Sequence, residues 1–336
     1  MIIQLTENAT QQNLSEILTT LSTHQFKTVD VNTQLGRYLV AIGNSNVDIR
    51  AIGNLQGIKD IHVVSDTYKL VSRKWRINPT VIDLGDGILI GERHFSIMAG
   101  PCSIESEEQV ELIANHLAEN GVQVMRGGVF KPRSSPYAFR GMGTDGLKMF
   151  YRICKERKIK IISEVMQVSQ IAEMVDYVDI FQVGARNTQN FNLLDELGKV
   201  DKPVLLKRGI SGSIDELLQS AEYIFSGGNE KLILCERGIR TYETASRNTL
   251  DLNAVPILKE KSHLPVIVDP SHGIGIREFV EPMSLAAVMA GADGVIYETH
   301  YTPEIAASDG QQTLNFEESK NLIHKLRRTF QLRNDM

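Results

Sequence analysis

The chain is poor in the features that mark secreted, membrane-spanning and nucleic-acid-binding proteins. Its 336 residues hold only three cysteines, Cys102, Cys154 and Cys235. That is too few for a disulfide framework, fits a reducing compartment and leaves each thiol available for chemistry. The first residues, Met1 to Glu7, lack the basic start and apolar stretch of a signal peptide, and no apolar run approaches the ~20 residues that cross a bilayer. A cytoplasmic protein with no membrane partner is expected. A net charge of -5 argues against nucleic acid as the main partner, so any basic cluster has to be local and purposeful. No G-x-G-x-x-G follows any apolar run, which counts against a dinucleotide-binding open sheet, and no zinc-finger spacing occurs.

What is present describes an ordinary globular chain, 42% hydrophobic and 23% charged, long enough for one large domain or two unequal ones. Residues 1–66 carry small alternating patterns. Ile2 to Leu5 reads as a strand, Gln11 to Leu21 as a helix, Thr28 to Val31 and Arg37 to Ile42 as a hairpin, Val47 to Ile52 as a second helix and Ile58 to Val64 as a last strand. The order βαββαβ is the ferredoxin-like pattern. His24 and His62 are isolated there, so no catalysis is expected from this domain, and regulation by a small effector is the hypothesis to carry. Residues 67–80, with Lys69, Arg73, Lys74 and Arg76 around the only tryptophan, Trp75, lack periodicity and read as a solvated linker.

The texture changes over residues 81–336. A hairpin with a Gly-Asp-Gly turn, Val81 to Ile90, precedes eight short apolar runs: Phe95 to Ala99, Val122 to Met125, Ile159 to Ile162, Ile180 to Val183, Val204 to Leu206, Leu232 to Leu234, Val266 to Val268 and Gly294 to Tyr297. A helix pattern follows each, at about 106–120, 144–157, 167–175, 190–199, 213–225, 249–261, 277–290 and 316–330. Eight strand-helix units over roughly 250 residues predict an α/β fold of the (β/α)8 TIM barrel type, with the hairpin plugging its bottom.

The residues competent for chemistry fall at equivalent places. Cys102, Arg126, Lys131, Arg133, Glu164, Arg186, Lys207, Arg237, Asp269, His272, Glu298 and Asp309 each lie at the end of an expected strand or in the loop after it. On a barrel those ends converge on one face, where the active sites of such folds sit. One arginine there is more often a solvated loop charge, but so many at equivalent positions are not. The loop Gly127 to Pro136 gathers glycines, prolines, hydroxyls and cations in the manner of an anion cradle. Arg126, Lys131, Arg133, Arg186, Lys207 and Arg237 exceed what one phosphate requires, so two or more anionic groups are expected. Cys102, His272, Glu298 and Asp309 could surround one divalent cation, and their mixed sulfur, nitrogen and oxygen donors suit Mn2+, Fe2+, Co2+ or Zn2+. His300 is a lower-ranked ligand candidate.

The segments Ala99-Gly100-Pro101-Cys102-Ser103, Gly128 to Pro136, Gln182 to Asn187, Leu206-Lys207-Arg208-Gly209, Cys235-Glu236-Arg237-Gly238 and Asp269-Pro270-Ser271-His272-Gly273 resemble, in order, those of 3-deoxy-D-arabino-heptulosonate 7-phosphate synthase. The likeness spans the barrel, and the first domain resembles the regulatory extension of one subgroup of the type I enzymes. The resemblance implies condensation of phosphoenolpyruvate with erythrose 4-phosphate and water, at the entry to the shikimate pathway of aromatic amino acid synthesis. It implies that Arg186, Lys207 and Arg237 hold the donor's phosphate, Arg126 and Lys131 its carboxylate, and Arg133 and Ser134 the phosphate of the sugar. A metal on Cys102, His272, Glu298 and Asp309 would polarise the aldehyde. Lys131 or a water held by the metal would donate the proton, with Glu164 and Asp269 as second-choice acid, base or orienting groups. Feedback by tyrosine or phenylalanine through the first domain, and a homo-oligomer, for instance a tetramer, are further expectations.

Three rivals remain at this point. The sister enzyme that uses arabinose 5-phosphate and makes 3-deoxy-D-manno-octulosonate 8-phosphate has an acceptor loop like Lys-Ala-Asn-Arg-Thr-Ser, where this chain has Lys131-Pro132-Arg133-Ser134-Ser135. A Schiff-base aldolase would use Lys207 or Lys131 and would not need Cys102 or His272. A non-catalytic scaffold would show a gap in the ring of charged residues.

Overall fold

A computed structural model describes all residues except 44–46, 132–136 and 138. In the first part of the chain, β1 (Ile2–Leu5), α1 (Gln11–Thr23), β2 (Lys27–Asn32), β3 (Arg37–Ile42), α2 (Ile49–Gly53) and β4 (Ile58–His62) follow the expected βαββαβ order. The sheet is antiparallel, in the order β2-β3-β1-β4. Helix α1 starts where it does because Thr10 and Asn13 form a reciprocal cap, and it buries Leu14, Ile17 and Leu21 on the stripe that helical spacing dictates. Alternation along the strands gives the sheet two apolar faces. Ile3, Leu5, Leu39 and Ala41 pack under the helices, while Ile2, Val31, Tyr38 and Val40 join the core of the second part of the chain.

That second face corrects the reading of residues 67–80 as a solvated linker. Trp75 is buried, donates its indole N–H to Leu70 O at 2.8 Å, and meets Tyr38, Phe225 and His263 edge-on. Arg73 donates to Lys259 O and Arg76 pairs with Glu230, so two of the basic residues are anchors on the barrel. Glu222 accepts from the backbone N–H groups of Lys69, Leu70 and Val71. The partners on the barrel lie more than a hundred residues away in sequence, where no local periodicity could announce them.

The rest of the chain is a closed parallel barrel. After the hairpin β5 (Ile82–Asp83) and β6 (Leu89–Ile90), its strands are β7 (Ser96–Gly100), β8 (Val124–Arg126), β9 (Lys160–Val165), β10 (Ile180–Val183), β11 (Val204–Lys207), β12 (Leu232–Glu236), β13 (Val266–Val268) and β14 (Gly294–Glu298). The helices between and after them are α3 (Glu107–Glu119), α4 (Gly143–Glu156), α5 (Val168–Met174), α6 (Phe191–Leu197), α7 (Ile214–Ser226), α8 (Ala254–Lys261), α9 (Pro270–Ile274), α10 (Arg277–Met289) and α11 (Phe316–Asn334). The barrel's own core is filled by Met98, Val124, Ile162, Ile180, Leu205, Ile233, Ile267 and Ile296, with Ile82, Ile88 and Ile90 of the hairpin packed against them. The plug is thus where the sequence puts it. The short α9 has no apolar stripe and is not foreseen; Asp269 caps it and Pro270 opens it.

Candidate active site

The strand ends converge on a cleft of about 210 Å³ lined by Arg126, Lys131, Glu164, Arg186, Lys207, Arg237, His272 and Asp309, all expected from the sequence. Two glycines make room at its floor. Gly100 sits at φ +153, and a Cβ there would fall 2.0 Å from Arg126 O. A Cβ on Gly184 would fall 2.0 Å from Glu164 Oε1, so the residue just after β10 leaves space for the carboxylate of the neighbouring strand β9.

The cationic and metal-ligand sets, separate in sequence, are interlocked. Arg126 is buried and its Nη1 donates to Glu298 Oε1 at 2.8 Å and to Pro101 O. Lys131 donates to Cys102 O at 2.9 Å and approaches Cys102 Sγ at 3.1 Å. Lys207 donates to Asp269 Oδ2 at 2.5 Å, and the same oxygen lies 2.7 Å from His272 Nδ1. Asp269 Oδ1 accepts the backbone N–H of His272, so one carboxylate clamps the imidazole by ring and by backbone. Arg237 reaches His272 O at 3.3 Å. Arg133 and Ser134 lie outside the described residues.

Cys102, Glu298 and Asp309 bring their ligand atoms within 4.8 Å of one another. Cys102 Sγ is 3.2 Å from Asp309 Oδ2, and His272 Nε2, left over once Nδ1 faces Asp269, is 3.4 Å from Glu298 Oε1. His272 stands outside that group of three and approaches it only through Glu298, so three of the four expected ligands cluster. A thiol and two carboxylates with an imidazole beside them fit a borderline divalent transition metal. Burial pushes the Cys102 thiol up to about 11, with the Glu298 charge adding to it. Burial also raises the Glu298 carboxyl, but His272 and Arg126 more than offset it, and its pKa lies below the ordinary value. Asp309 follows the same pattern, burial being outweighed by His272 and Arg247. Cys154 and Cys235, though free, are sealed in apolar surroundings that raise both thiols, so only one of the three cysteines faces chemistry. His300 does not join the ligand group: its Nδ1 accepts from Thr302 N, and its ring stacks on Tyr301.

Against known proteins, the model of the DAHP synthetase I family matches residues 76–334. The chain belongs to that family. It is 43% identical to the phospho-2-dehydro-3-deoxyheptonate aldolase of Thermotoga maritima over 98% of this chain and 97% of that one. The crystal structure of that DAHP synthase superposes with a TM-score of 0.79 at the same identity and coverage. The 2-dehydro-3-deoxyphosphooctonate aldolase of Geobacter sulfurreducens is 32% identical, over 73% of this chain and 96% of its own. The four-stranded segment is thus covered by the first relative, whereas the second matches little more than a barrel's length.

Some residues of this family member's cleft were not singled out from the sequence. Gln182, Arg240, Arg247 and Asn248 also line it. The last three sit in the irregular loop between β12 and α8, where no periodicity or strand end marks them; their one signal is that they follow the strand carrying Arg237. Arg208, part of a quoted motif, is turned away and pairs with Glu236 and Asp251. Among the described residues, no helix is long and apolar enough to cross a membrane.

Proposed function

We propose that the chain condenses phosphoenolpyruvate with erythrose 4-phosphate and water to give 3-deoxy-D-arabino-heptulosonate 7-phosphate and inorganic phosphate. The observation that carries this is the convergence of five cations, Arg126, Lys131, Arg186, Lys207 and Arg237, on one cleft shared with a thiol, an imidazole and two carboxylates. Glu298 balances Arg126 and Asp269 balances Lys207 in part, and the positive charge left over suits a donor that brings a phosphate and a carboxylate. The tetrose reading is favoured over the pentose reading by the 43% identity over the whole chain, four-stranded segment included.

Arg186, Lys207 and Arg237 would hold the donor's phosphate and Arg126 with Lys131 its carboxylate. Arg133 and Ser134 would take the phosphate of the sugar. Cys102, His272, Glu298 and Asp309 would hold a divalent metal, Mn2+, Fe2+, Co2+ or Zn2+, and such a cation supplies Lewis-acid polarisation of the acceptor aldehyde. A new bond joins the donor's methylene carbon to the aldehyde carbon, water adds at the donor's central carbon, and phosphate leaves by cleavage of its bond to that carbon. Lys131, whose Nζ lies beside Cys102 and lines the cleft, or a water held by the metal would give a proton to the aldehyde oxygen as it becomes a hydroxyl. Asp269 is committed to Lys207 and His272 and acts by orienting them, which leaves Glu164 as the carboxylate for acid-base work on the water.

The same reading makes residues 1–66 a regulatory domain that binds tyrosine or phenylalanine, and the protein a cytoplasmic homo-oligomer, for instance a tetramer. The test is phosphate release from phosphoenolpyruvate, with erythrose 4-phosphate or arabinose 5-phosphate, before and after chelation and metal return. Turnover with the pentose alone, or full activity in chelator, overturns the assignment. Inhibition by either amino acid that persists unchanged without residues 1–66 would place the effector elsewhere.

A further inference from the structure

We propose that Arg247 is a positioning residue for the metal-ligand carboxylates, acting on Asp309 directly and on Glu298 through the side-chain amide of Gln312. The inference rests on the metal reading of Cys102, His272, Glu298 and Asp309. It concerns a residue from another loop, distant in sequence from all four.

Gln312 is fully buried. Its Nε2 donates to Glu298 Oε2 at 2.7 Å, and its Oε1 accepts from Arg247 Nη1 at 2.7 Å. A carboxylate only accepts and a guanidinium only donates, so the orientation of the amide between them is fixed by its neighbours. Glu298 Oε1 already accepts from Arg126, and Gln312 therefore takes up the second oxygen and sets the rotation of the carboxylate plane. Arg247 Nη1 also lies 3.3 Å from Asp309 Oδ1, which leaves Asp309 Oδ2 turned towards Cys102 Sγ at 3.2 Å. One nitrogen of one guanidinium thus bears on both carboxylates.

The frame around this contact is built to hold it. Asp309 has the left-handed backbone (φ +50) that opens the tight turn carrying Gln312, and Thr313 Oγ1 donates back to Asp309 O. Arg247 N donates to Ile274 O, and Asn248 Nδ2 donates to His272 O, so the loop bearing Arg247 is sewn to the segment that carries the imidazole. Gly275, at φ +69, leaves the space that the Arg247 stem fills: a Cβ there would fall 2.4 Å from Arg247 Cβ. Close carboxylates repel, and groups outside the ligands that hold them in register typically change metal affinity by about 10- to 100-fold.

The experiment uses the full chain, stripped of metal and titrated with Co2+, read by dissociation constant and by the thiolate-to-cobalt absorption of Cys102. Phosphoenolpyruvate binding to the metal-free protein is measured alongside. R247M is expected to weaken Co2+ binding about 10- to 100-fold and shift the absorption envelope, with donor affinity kept within about threefold. R247K should recover part of the loss. Q312M, which leaves the contact of Arg247 with Asp309, should give a smaller shift in the same direction, and the double variant should fall near R247M, because Gln312 acts between Arg247 and Glu298. Wild-type Co2+ affinity and spectrum in R247M overturn the inference, as does a loss of donor affinity with metal binding intact, which would make Arg247 a substrate contact. A wild-type chain that takes up no Co2+ sinks the metal reading as well, and is told apart by that arm alone.

Discussion

Arg126 Nη1 and Glu298 Oε1 lie 2.8 Å apart, both buried, on the strands that flank β7. On the proposed function this ties a residue assigned to the donor's carboxylate to one assigned to the metal, so that the two ligands would draw on the same pair of side chains. In E298Q the guanidinium loses its counter-charge. We expect donor affinity, measured by calorimetry in chelator, to rise several-fold while metal affinity falls more than about tenfold. If both fall together, the pair is a scaffold and not a shared site.

Gly184 and Glu164 test the acid-base assignment without touching either charge set. Adding one methyl in G184A places a carbon 2.0 Å from Glu164 Oε1, so the carboxylate has to swing away. Displacements of this size at a reacting centre typically lower kcat/KM by about 100-fold. G184A and E164A should show losses of similar size that do not add, with Co2+ binding unchanged in both. Wild-type turnover in G184A would remove Glu164 from the mechanism.

The barrel was legible because burial inside it needs continuous apolar runs, and each charged residue that ends a run points to one face. Strand β11 ends in this way: Leu205 fills the barrel and Lys207, two residues on, opens into the cleft. What could not be read are pairings across loops. Nothing local ties Arg247 to Gln312, or Asp269 to Lys207, and the single nitrogen that links two carboxylates appears only when the chain closes. Trp75 was misjudged for the same reason: flanking cations suggested solvent, yet Arg73 and Arg76 spend their charge on Lys259 O and Glu230.

Trp75 also gives a direct probe, since it is the only tryptophan and sits between Tyr38 of the four-stranded sheet and Phe225 of the barrel. Truncation in W75A should destabilise the fold by about 3 kcal/mol or more, as large-to-small changes at buried aromatics do. W75F, which keeps most of the packing and loses the bond to Leu70 O, should lose less. Limited proteolysis should cut W75A within 67–80 and leave the intact chain uncut there. Equal resistance in both would show that the sheet is held by other contacts.

His263 links pH to this same contact. It is buried between Trp75 and Phe225, its Nε2 faces Leu70 O at 2.9 Å and its Nδ1 faces Thr80 Oγ1 at 2.7 Å. Burial, helped by Arg76, pulls its pKa from 6.5 down to about 3. The folded chain therefore keeps the ring neutral where the unfolded chain protonates it. Its contribution to stability is complete above pH 6.5 and is lost progressively as pH falls towards 3. At pH 5 the loss from this one group is about 2 kcal/mol relative to neutral pH. Urea unfolding at pH 7.5 and pH 5 should show a larger drop in the intact chain than in H263Q, by about that amount. An equal drop in the two would mean that the ring charges inside the folded protein, and that the contact between sheet and barrel admits water.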